Sequence, residues 1–364
     1  MHHEVDFVTI NNTKRPRTGG DYVYMVMKSE LIRQGYKVSE VSVPLLIDYM
    51  KTRDPTNWIG RTSMLSAELL AYFRCYMSSL KKFTWGSHLM ITSSCPTFPV
   101  FGHLTYHQPK AGIFSSLRRE SDSVRRKIGY RIEENETLSP MWFFVKKLIR
   151  LHLSNSKFTR QVVKKIYSID SNVLYPPVAV KKYLHIHLHD KRKPYILITR
   201  PQATTGISSL PEIAKYLSKN MKFIVIGNID HVGIRALHLL KNAGTKFEYL
   251  GYVKEELKTE LFRKCSAYIN LATNETFGIT VVEALAAGCV PIAHDSGAVP
   301  EYLPQEFRYS NFDEAAEKVA IYINSKNELR KKLRSIALKF EEASFRKNFM
   351  FFVRNLETCL KYKD

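Results

Sequence analysis

Two carboxylates, Glu275 and Glu283, lie eight residues apart where a predicted strand gives way to a predicted helix. The apolar strand ends at Ala272, a polar loop carries Glu275, and the helix begins near Ile279. A helix N-terminus offers free N–H groups and the positive end of a dipole, which suit a diphosphate. A carboxylate that accepts two hydrogen bonds suits the vicinal hydroxyls of a ribose or hexose. The alternative is a solvated helix residue and a loop tip that bind nothing.

The elements that must position this loop begin near the N-terminus with a strand, a loop that ends in two glycines, and a helix. Residues 5–10 read as the strand, and an amphipathic helix is predicted from Asp21, a candidate N-cap, to Gln34. Further strands are predicted at 88–94 and 102–108. This order is typical of the opening of a doubly wound α/β domain.

The C-terminal half repeats the alternation of strands and helices. PYILITR, KFIVIGN, KFEYLGYV, AYINLA and CVPIAHD read as strands between helices of about ten residues, which predicts a second parallel sheet. Pro176–Pro177 opens the best candidate linker. We therefore predict an α/β protein with two Rossmann-like domains, 1–177 and 178–343, and a helix at 344–364 that returns to the first domain.

Composition is that of an ordinary soluble protein. The 364 residues, 45% hydrophobic and 24% charged, suit two domains that each bury a core. No apolar run approaches the roughly 18 residues of a membrane-spanning helix, and the N-terminus lacks a signal-peptide pattern. Five cysteines without a paired spacing suit reduced thiols. The expected location is cytoplasmic.

The formal net charge of +21 implies an anionic partner. Residues 118–165 hold thirteen Lys or Arg against five Asp or Glu, and 141–153 mixes bulky apolar residues with cations. We favour peripheral contact with an anionic membrane surface, while an ordinary core helix at 141–153 stays open. A basic chain also suits nucleic acid. However, no nucleic-acid-binding motif is present, so nucleic acid is not expected as a partner.

Three alternating histidines, His185, His187 and His189, would share one face of a strand and suit zinc. They lie in the candidate linker with no fourth ligand nearby. We interpret the segment as a solvated basic strand, with metal binding as the alternative.

The stretch around the two carboxylates resembles glycosyltransferase family 4. The resemblance rests on T-F-G-I, E-A-L-A-A-G, P-I-A and S-G-x-x-P-E beside the E-x7-E spacing, and it is strongest in the C-terminal half. It implies a GT-B fold, two Rossmann-like domains facing a cleft, with the acceptor on the first domain and a nucleotide sugar on the second. It also implies that no cofactor and no metal ion are needed.

The resemblance assigns roles within the loop and helix. Glu283 would bind the ribose hydroxyls, and Glu275 the transferred sugar. The sugar and its phosphate would also meet the start of the helix, at Phe277, Gly278, Ile279 and Thr280.

Other positions follow from the same resemblance. Gly19 and Gly20 match a glycine pair that lets backbone N–H groups approach phosphate or acceptor. His107 matches a histidine that faces the donor sugar, although a lone histidine is more often structural. Arg200 matches a diphosphate-binding arginine, for which a guanidinium fork is well suited. Val253 matches a backbone contact to the nucleobase.

One feature departs from the family pattern. A phosphate-binding lysine is expected three to six residues after Arg200, but the sequence there is P-Q-A-T-T-G, and the next lysine is Lys215. Hydroxyl contacts from Thr204 or Thr205, a cation from the other domain, or weaker donor binding are the open alternatives.

The expected activity is transfer of a sugar, with retention of configuration, from a nucleotide diphosphate sugar to an acceptor hydroxyl. Within the family, L-Y-P-P-V and S-N-S-K-F-T are similar to segments of members that use GDP-mannose, which favours mannose. These segments do not identify the acceptor, which is expected to be a glycan or a lipid-linked glycan. Two alternatives stay open. One is a soluble transferase that uses a UDP-sugar on a small molecule or polysaccharide, and the other is a catalytically silent binding protein of the same fold.

Overall fold

Two parallel six-stranded sheets organise the chain. The computed structural model describes residues 4–9, 19–42, 89–94, 103–107, 149–188, 191–218 and 220–361. Each sheet alternates with helices along the chain, so the described residues form the doubly wound α/β arrangement that the hydrophobic pattern predicts.

The first sheet belongs to the N-terminal half, and every neighbouring pair in it is parallel. Its strands are β1 (Glu4–Thr9), β2 (Lys37–Ser42), β3 (Leu89–Ser94), β4 (Leu104–His107), β5 (Leu151–Ser154) and β6 (Asn172–Val173), in the order β2-β1-β3-β4-β5-β6. Its helices are α1 (Gly19–Arg33) and α2 (Lys157–Tyr167).

The start of α1 differs from the prediction. The helix begins at Gly19, so Asp21 is its third residue and not its N-cap. The Asp21 side chain is buried there, in the first turn, where the positive end of the helix dipole favours a carboxylate. Gly19 and Gly20 are therefore helical residues and not part of a preceding loop.

The second sheet belongs to the C-terminal half and is also parallel throughout. Its strands are β7 (Lys193–Thr199), β8 (Lys222–Ile226), β9 (Phe247–Tyr249), β10 (Cys265–Asn270), β11 (Val290–His294) and β12 (Arg308–Tyr309), in the order β12-β11-β10-β7-β8-β9.

Helices cover this second sheet and extend beyond it. They are α3 (Lys181–Leu184), α4 (Leu210–Lys215), α5 (His231–Asn242), α6 (Glu255–Lys264), α7 (Ile279–Ala287), α8 (Phe312–Tyr322), α9 (Asn327–Ala337) and α10 (Glu342–Lys361). Short 3₁₀ helices lie at Ala203–Thr205, Ile207–Ser209, Val299–Glu301, Gln305–Phe307 and Leu338–Phe340.

The chain passes between the two halves twice, and the two crossings lie side by side. The N–H of Val178 donates to the carbonyl of Phe340 at 2.9 Å, and Val178 forms a parallel bridge with Glu341. After this second crossing α10 packs against α1, and its apolar residues join the N-terminal core. The last described helix therefore lies against the N-terminal half.

The histidine segment is not the predicted strand. Lys181–Leu184 is helical, His185 caps that helix in a right-handed helical conformation, and His187 lies beyond it. Both side chains are exposed, and His189 lies outside the described residues. No cluster of three metal-ligating side chains occurs in the described ranges.

Several predictions fall on residues that are not described. They include the loop before Gly19, residues 118–148 of the basic segment, and Cys75 and Cys95. Among the helices within the described ranges, none combines the length and apolar character needed to cross a bilayer.

Candidate donor site

The loop between β10 and α7 brings Glu275 to the carboxyl edge of the second sheet. Glu275 is buried, and α7 begins at Ile279 after Gly278, whose φ is +86°. A side chain at Gly278 would be strained at this φ and would lie 2.9 Å from the Tyr302 hydroxyl. Among the described residues no side chain caps the start of α7, so its first N–H groups keep the geometry of an anion site.

The glycine pair of the N-terminal half faces this helix start. A Cβ on Gly19 would lie 2.6 Å from Cδ1 of Ile279, so the two helix N-termini meet across the domain junction. A side chain at position 19 would require the Ile279 side chain to move. The structure thus brings together two segments that lie 260 residues apart in the sequence.

Arg200 lies beside Glu275 at the same edge. It follows β7, and its Nη2 is 3.4 Å from Oε2 of Glu275. The Arg200 side chain is 54% exposed while that of Glu275 is 8% exposed, so the cation extends into open space from a buried carboxylate. A nucleotide diphosphate entering here would meet a guanidinium group with donors still available.

The backbone of Arg200 is held in an unusual conformation. Its φ is +52°, a region that non-glycine residues seldom adopt. Its carbonyl accepts the N–H of Gln202 at 2.8 Å and also the Thr205 hydroxyl, and its N–H donates to Ile226. Strain of this kind persists where the surroundings dictate it, and it is frequent at ligand sites.

The Thr205 hydroxyl donates its hydrogen bond within this turn. The hydroxyl lies within hydrogen-bond reach of the carbonyls of Arg200 and Gln202, and Thr205 is buried. A hydroxyl has one proton to donate, and here it is used within the loop. Thr204 is exposed. In this arrangement the Thr205 hydroxyl has no proton left to donate to a diphosphate in place of the expected lysine.

Glu283 lies on the second turn of α7 and is paired with a lysine that the sequence analysis did not single out. Nζ of Lys258 is 2.8 Å from Oε1 of Glu283, and their side chains are 19% and 9% exposed. Burial alone would lower the pKa of Lys258, but the charges of Glu283 and Glu255 outweigh it and raise that pKa. The Glu283 carboxylate is thus held next to a protonated amine.

The second oxygen of Glu283 lies in the same enclosed space. Oε2 is buried without a hydrogen bond from any described residue, as is the hydroxyl of Tyr183. Burial, and then the charge of Glu283, raise the pKa of Tyr183 well above its usual value. The predicted contact between Glu283 and ribose remains a prediction, because the carboxylate is closed in by these partners.

The loop after β9 supplies the position predicted to meet the nucleobase. Val253 is half-buried against the C-terminal core, and Tyr252 before it is exposed. The N–H of Gly227 donates to the carbonyl of Gly251 at 2.7 Å, which joins this loop to the one after β8. Val253 therefore lies at the same sheet edge as Arg200 and Glu275.

His107 ends β4 and is fully buried. Its Nε2 is 3.0 Å from Nδ1 of His152, and the rings stack with centroids 5.3 Å apart. Burial, and then the neighbouring His152, lower the pKa of His107 to about 3, so the ring is neutral at neutral pH. The residues that follow it, 108–148, lie outside the described ranges, and its contact with a donor sugar stays a prediction.

Known proteins share both the sequence pattern and the fold. Residues 182–340 match the family model described as glycosyl transferases group 1. Among solved structures, sucrose-phosphate synthase from Thermosynechococcus elongatus superposes with a TM-score of 0.72 at 11% identity, over 98% of this chain and 100% of that one. A glycosyltransferase from Rickettsia africae gives 0.67 at 14% identity, over 98% of both chains.

The fold is therefore GT-B, and residues 182–340 are similar to glycosyl transferases group 1. Similar curated proteins include two named GDP-Man:Man(3)GlcNAc(2)-PP-Dol alpha-1,2-mannosyltransferase. That of Dictyostelium discoideum is 24% identical over 311 residues, 71% of this chain and 61% of that protein. That of Homo sapiens is 28% identical over 238 residues, 56% of this chain and 48% of that protein. The chain thus matches about half to three fifths of their length.

Proposed function

We propose that this chain transfers mannose from GDP-mannose to a hydroxyl of a lipid-linked glycan. The observation that carries the proposal is the edge of the second sheet, where Arg200, Glu275 and the uncapped start of α7 meet opposite Gly19. The printed names of the similar curated proteins support GDP-mannose and a dolichol-linked acceptor.

The proposed reaction forms a bond between the acceptor oxygen and C1 of the sugar and breaks the bond from C1 to the diphosphate oxygen. Negative charge grows on the leaving GDP, and Arg200 with the N–H groups at the start of α7 would stabilise it. The acceptor attacks C1 on the face from which the diphosphate leaves, so the configuration is retained. The acceptor proton passes to the departing phosphate oxygen. Neither a metal ion nor a separate carboxylate base is needed.

A panel of GDP- and UDP-sugars, assayed with and without a dolichol-type acceptor, tests the proposal. We expect GDP release and mannose transfer from GDP-mannose, with the same rate in the presence of EDTA. Transfer from a UDP-sugar to a soluble acceptor would favour the alternative transferase. An absence of turnover with every donor would favour a binding protein and contradict the proposal.

Replacement of Arg200 by Met tests the proposed diphosphate contact. We expect kcat/KM for the donor to fall about 100-fold, because a charge that stabilises the leaving group is lost. Arg200→Lys keeps the positive charge but lacks the forked guanidinium, so its kcat/KM should lie between those of wild type and Arg200→Met. Arg263→Met is the matched control, because Arg263 forms a partly buried pair with Glu260 on α6, outside the proposed donor site. Equal rates for the Arg200 and Arg263 variants would contradict the assignment.

We also propose that the chain works at the cytosolic face of an anionic membrane, on the basis of its charge of +21. Co-sedimentation with vesicles that contain phosphatidylserine tests this. We expect binding that falls as salt rises. Binding equal to that of neutral vesicles would contradict the membrane contact.

A further inference from the structure

Glu301 joins the two domains. It ends the 3₁₀ helix Val299–Glu301 in the C-terminal half, and its carboxylate accepts two backbone N–H groups of the N-terminal half, those of Lys157 at 3.0 Å and Phe158 at 2.7 Å. The same carboxylate accepts the hydroxyl of Tyr175 at 2.8 Å. Three hydrogen bonds to one carboxylate make this a specific contact.

The two N–H groups are the first of α2, and such groups have no acceptor within their own helix. The next, that of Thr159, donates to Oγ of Ser156 within the N-terminal half. Glu301 therefore completes the cap of α2 from the other domain, and its negative charge suits the positive end of the helix. Because the partners are 143 and 144 residues apart, the cap depends on the relative position of the domains.

The segment that carries Glu301 also holds the donor loop. The N–H of Ala298 donates to the carbonyl of Glu275 at 2.8 Å, and Oγ of Ser296 accepts the N–H of Asn274 at 2.8 Å. A Cβ on Gly297 would lie 2.3 Å from the carbonyl oxygen of Glu275. A displacement of this segment would therefore move the backbone of Glu275.

Aromatic contacts link the same parts a second time. The Tyr175 ring is 6.0 Å from that of Phe277, and the Tyr302 hydroxyl donates to the carbonyl of Phe277 at 2.6 Å. Phe340, at the second crossing between the domains, packs on the rings of Phe277, Tyr175 and Tyr302. Tyr175 thus bonds to Glu301 and packs on the donor loop.

We propose that Glu301 is a positioning residue that couples the closed arrangement of the two domains to the geometry of the donor loop. When the N-terminal domain seats on α7, the start of α2 reaches Glu301, and the segment from Ser296 to Glu301 holds the backbone of Glu275 in place. When the domains separate, Glu301 loses the N–H groups of α2. The inference rests on the proposed transfer reaction, in which closure brings the acceptor to the donor.

Hydrogen exchange in the whole 364-residue chain tests the contact itself. In Glu301→Gln, an amide replaces one carboxylate oxygen and removes the charge, so we expect the amides of Lys157 and Phe158 to exchange about tenfold faster. Tyr175→Phe should give a smaller increase, because it removes one bond and keeps the ring. Glu306→Gln is the matched control, since Glu306 is exposed on a neighbouring 3₁₀ helix. Unchanged exchange in Glu301→Gln would overturn the coupling.

Kinetics test the positioning role. We expect Glu301→Gln to lower kcat about tenfold, because alignment of donor and acceptor is lost, while GDP affinity changes less than twofold. A fall in GDP affinity as large as the fall in kcat would overturn positioning in favour of donor binding. A kcat equal to that of Glu306→Gln would overturn it as well.

The two proposals fail in different ways. If the wild-type chain turns over no sugar donor, the proposed function fails, while the exchange measurement still decides whether Glu301 joins the domains. If wild type transfers mannose and Glu301→Gln does so at the same rate with the same exchange, only the coupling fails.

Discussion

The Glu283 carboxylate lies between a protonated amine and a tyrosine hydroxyl, below the surface of the donor site. Its pairing with Lys258 takes both charges largely out of water, and such pairs cost much when one member is removed. A ribose that reaches Glu283 would meet a carboxylate that already accepts a hydrogen bond from Lys258. Because the folded pKa of Lys258 is raised above 10.5, the contribution of the pair to stability is complete below that pH and is lost as pH rises through the folded value.

Removal of Lys258 should therefore destabilise the protein. We expect Lys258→Met to lower the free energy of unfolding by about 3 kcal/mol, because a buried carboxylate loses its partner. The double variant Lys258→Met/Glu283→Met should recover most of that loss, since neither charge is then buried. Urea denaturation measures both, with the exposed Lys264→Met as control. A double variant no more stable than the single one would contradict the pairing argument.

The neighbouring pair of Arg200 and Glu275 shows what residue patterns predict well. Guanidinium chemistry and the E-x7-E spacing pointed to both residues, but not to their contact across 75 positions. That contact depends on β7 pairing with β10 in the sheet. Lys258 and Tyr302 were missed, and Glu301 was noted only as the last residue of S-G-x-x-P-E, because the contacts of all three involve neighbours distant in sequence.

Helix α7 connects the donor site to the rest of the second domain. Its start receives no cap from the side chains that the structure describes, whereas the carbonyls at its end accept hydrogen bonds from cations. Three guanidinium groups donate to the last carbonyls, Arg334 to Ala286 at 2.7 Å, Arg192 to Ala287 at 2.6 Å and Arg330 to Gly288 at 2.5 Å. Positive charge at this end complements the helix dipole. The guanidinium groups also donate hydrogen bonds to carbonyls that have no N–H donor within the helix.

Arg330 is the most buried of these, and burial, followed by the charge of Arg192, lowers its pKa to about 10. We expect Arg330→Met to lower the free energy of unfolding by about 2 kcal/mol, because charge-assisted bonds to buried carbonyls are lost. Chemical denaturation checks this, with the exposed Lys331→Met as the neighbouring control. Equal midpoints for the two variants would show that the carbonyls of α7 do not need Arg330.

The pattern of hydrophobic residues predicted most of these elements. Period-two and apolar runs located β7, β8, β10 and β11, and the helical period located α7. It was wrong at the start of α1, where Gly19 and Gly20 are helical and Gly19 lies close to Ile279. It was also wrong at His185 and His187, which follow the short helix Lys181–Leu184 and do not form a strand, while Tyr183 and Ile186 are buried in the core.

Helix α10, the last described helix, connects the C-terminal half back to the N-terminal core. Residues of α10 belong to the core of the N-terminal half, although they follow the whole second domain; they are Phe345, Phe349, Met350, Val353 and Leu356. Polar contacts reinforce the packing, since the Tyr36 hydroxyl donates to Glu357 at 2.9 Å and Arg346 pairs with Glu30 at 3.4 Å. Loss of α10 would expose the core of the first domain.

Phe349→Ala should destabilise the N-terminal half in particular. The side chain is fully buried, so we expect a loss of about 3–5 kcal/mol from the missing contacts and the cavity. Hydrogen exchange should rise in α1 and much less in β10, because the second core does not include Phe349. Phe351→Ala is the control on the same helix, since Phe351 is 60% exposed. Equal increases in both domains would contradict this division of the cores.

The sequence by itself determined the alternation of strands and helices and the chemical types of the donor-site residues, because periodicity and side-chain chemistry are local properties. Tertiary structure decided which of these residues meet. It set Arg200 beside Glu275, closed Glu283 in with Lys258, used Thr205 within the loop, and brought Glu301 to the start of α2. These contacts depend on the order of strands in a sheet or on the position of one domain against the other. The spacing of residues along the chain predicts neither the strand order nor the domain position.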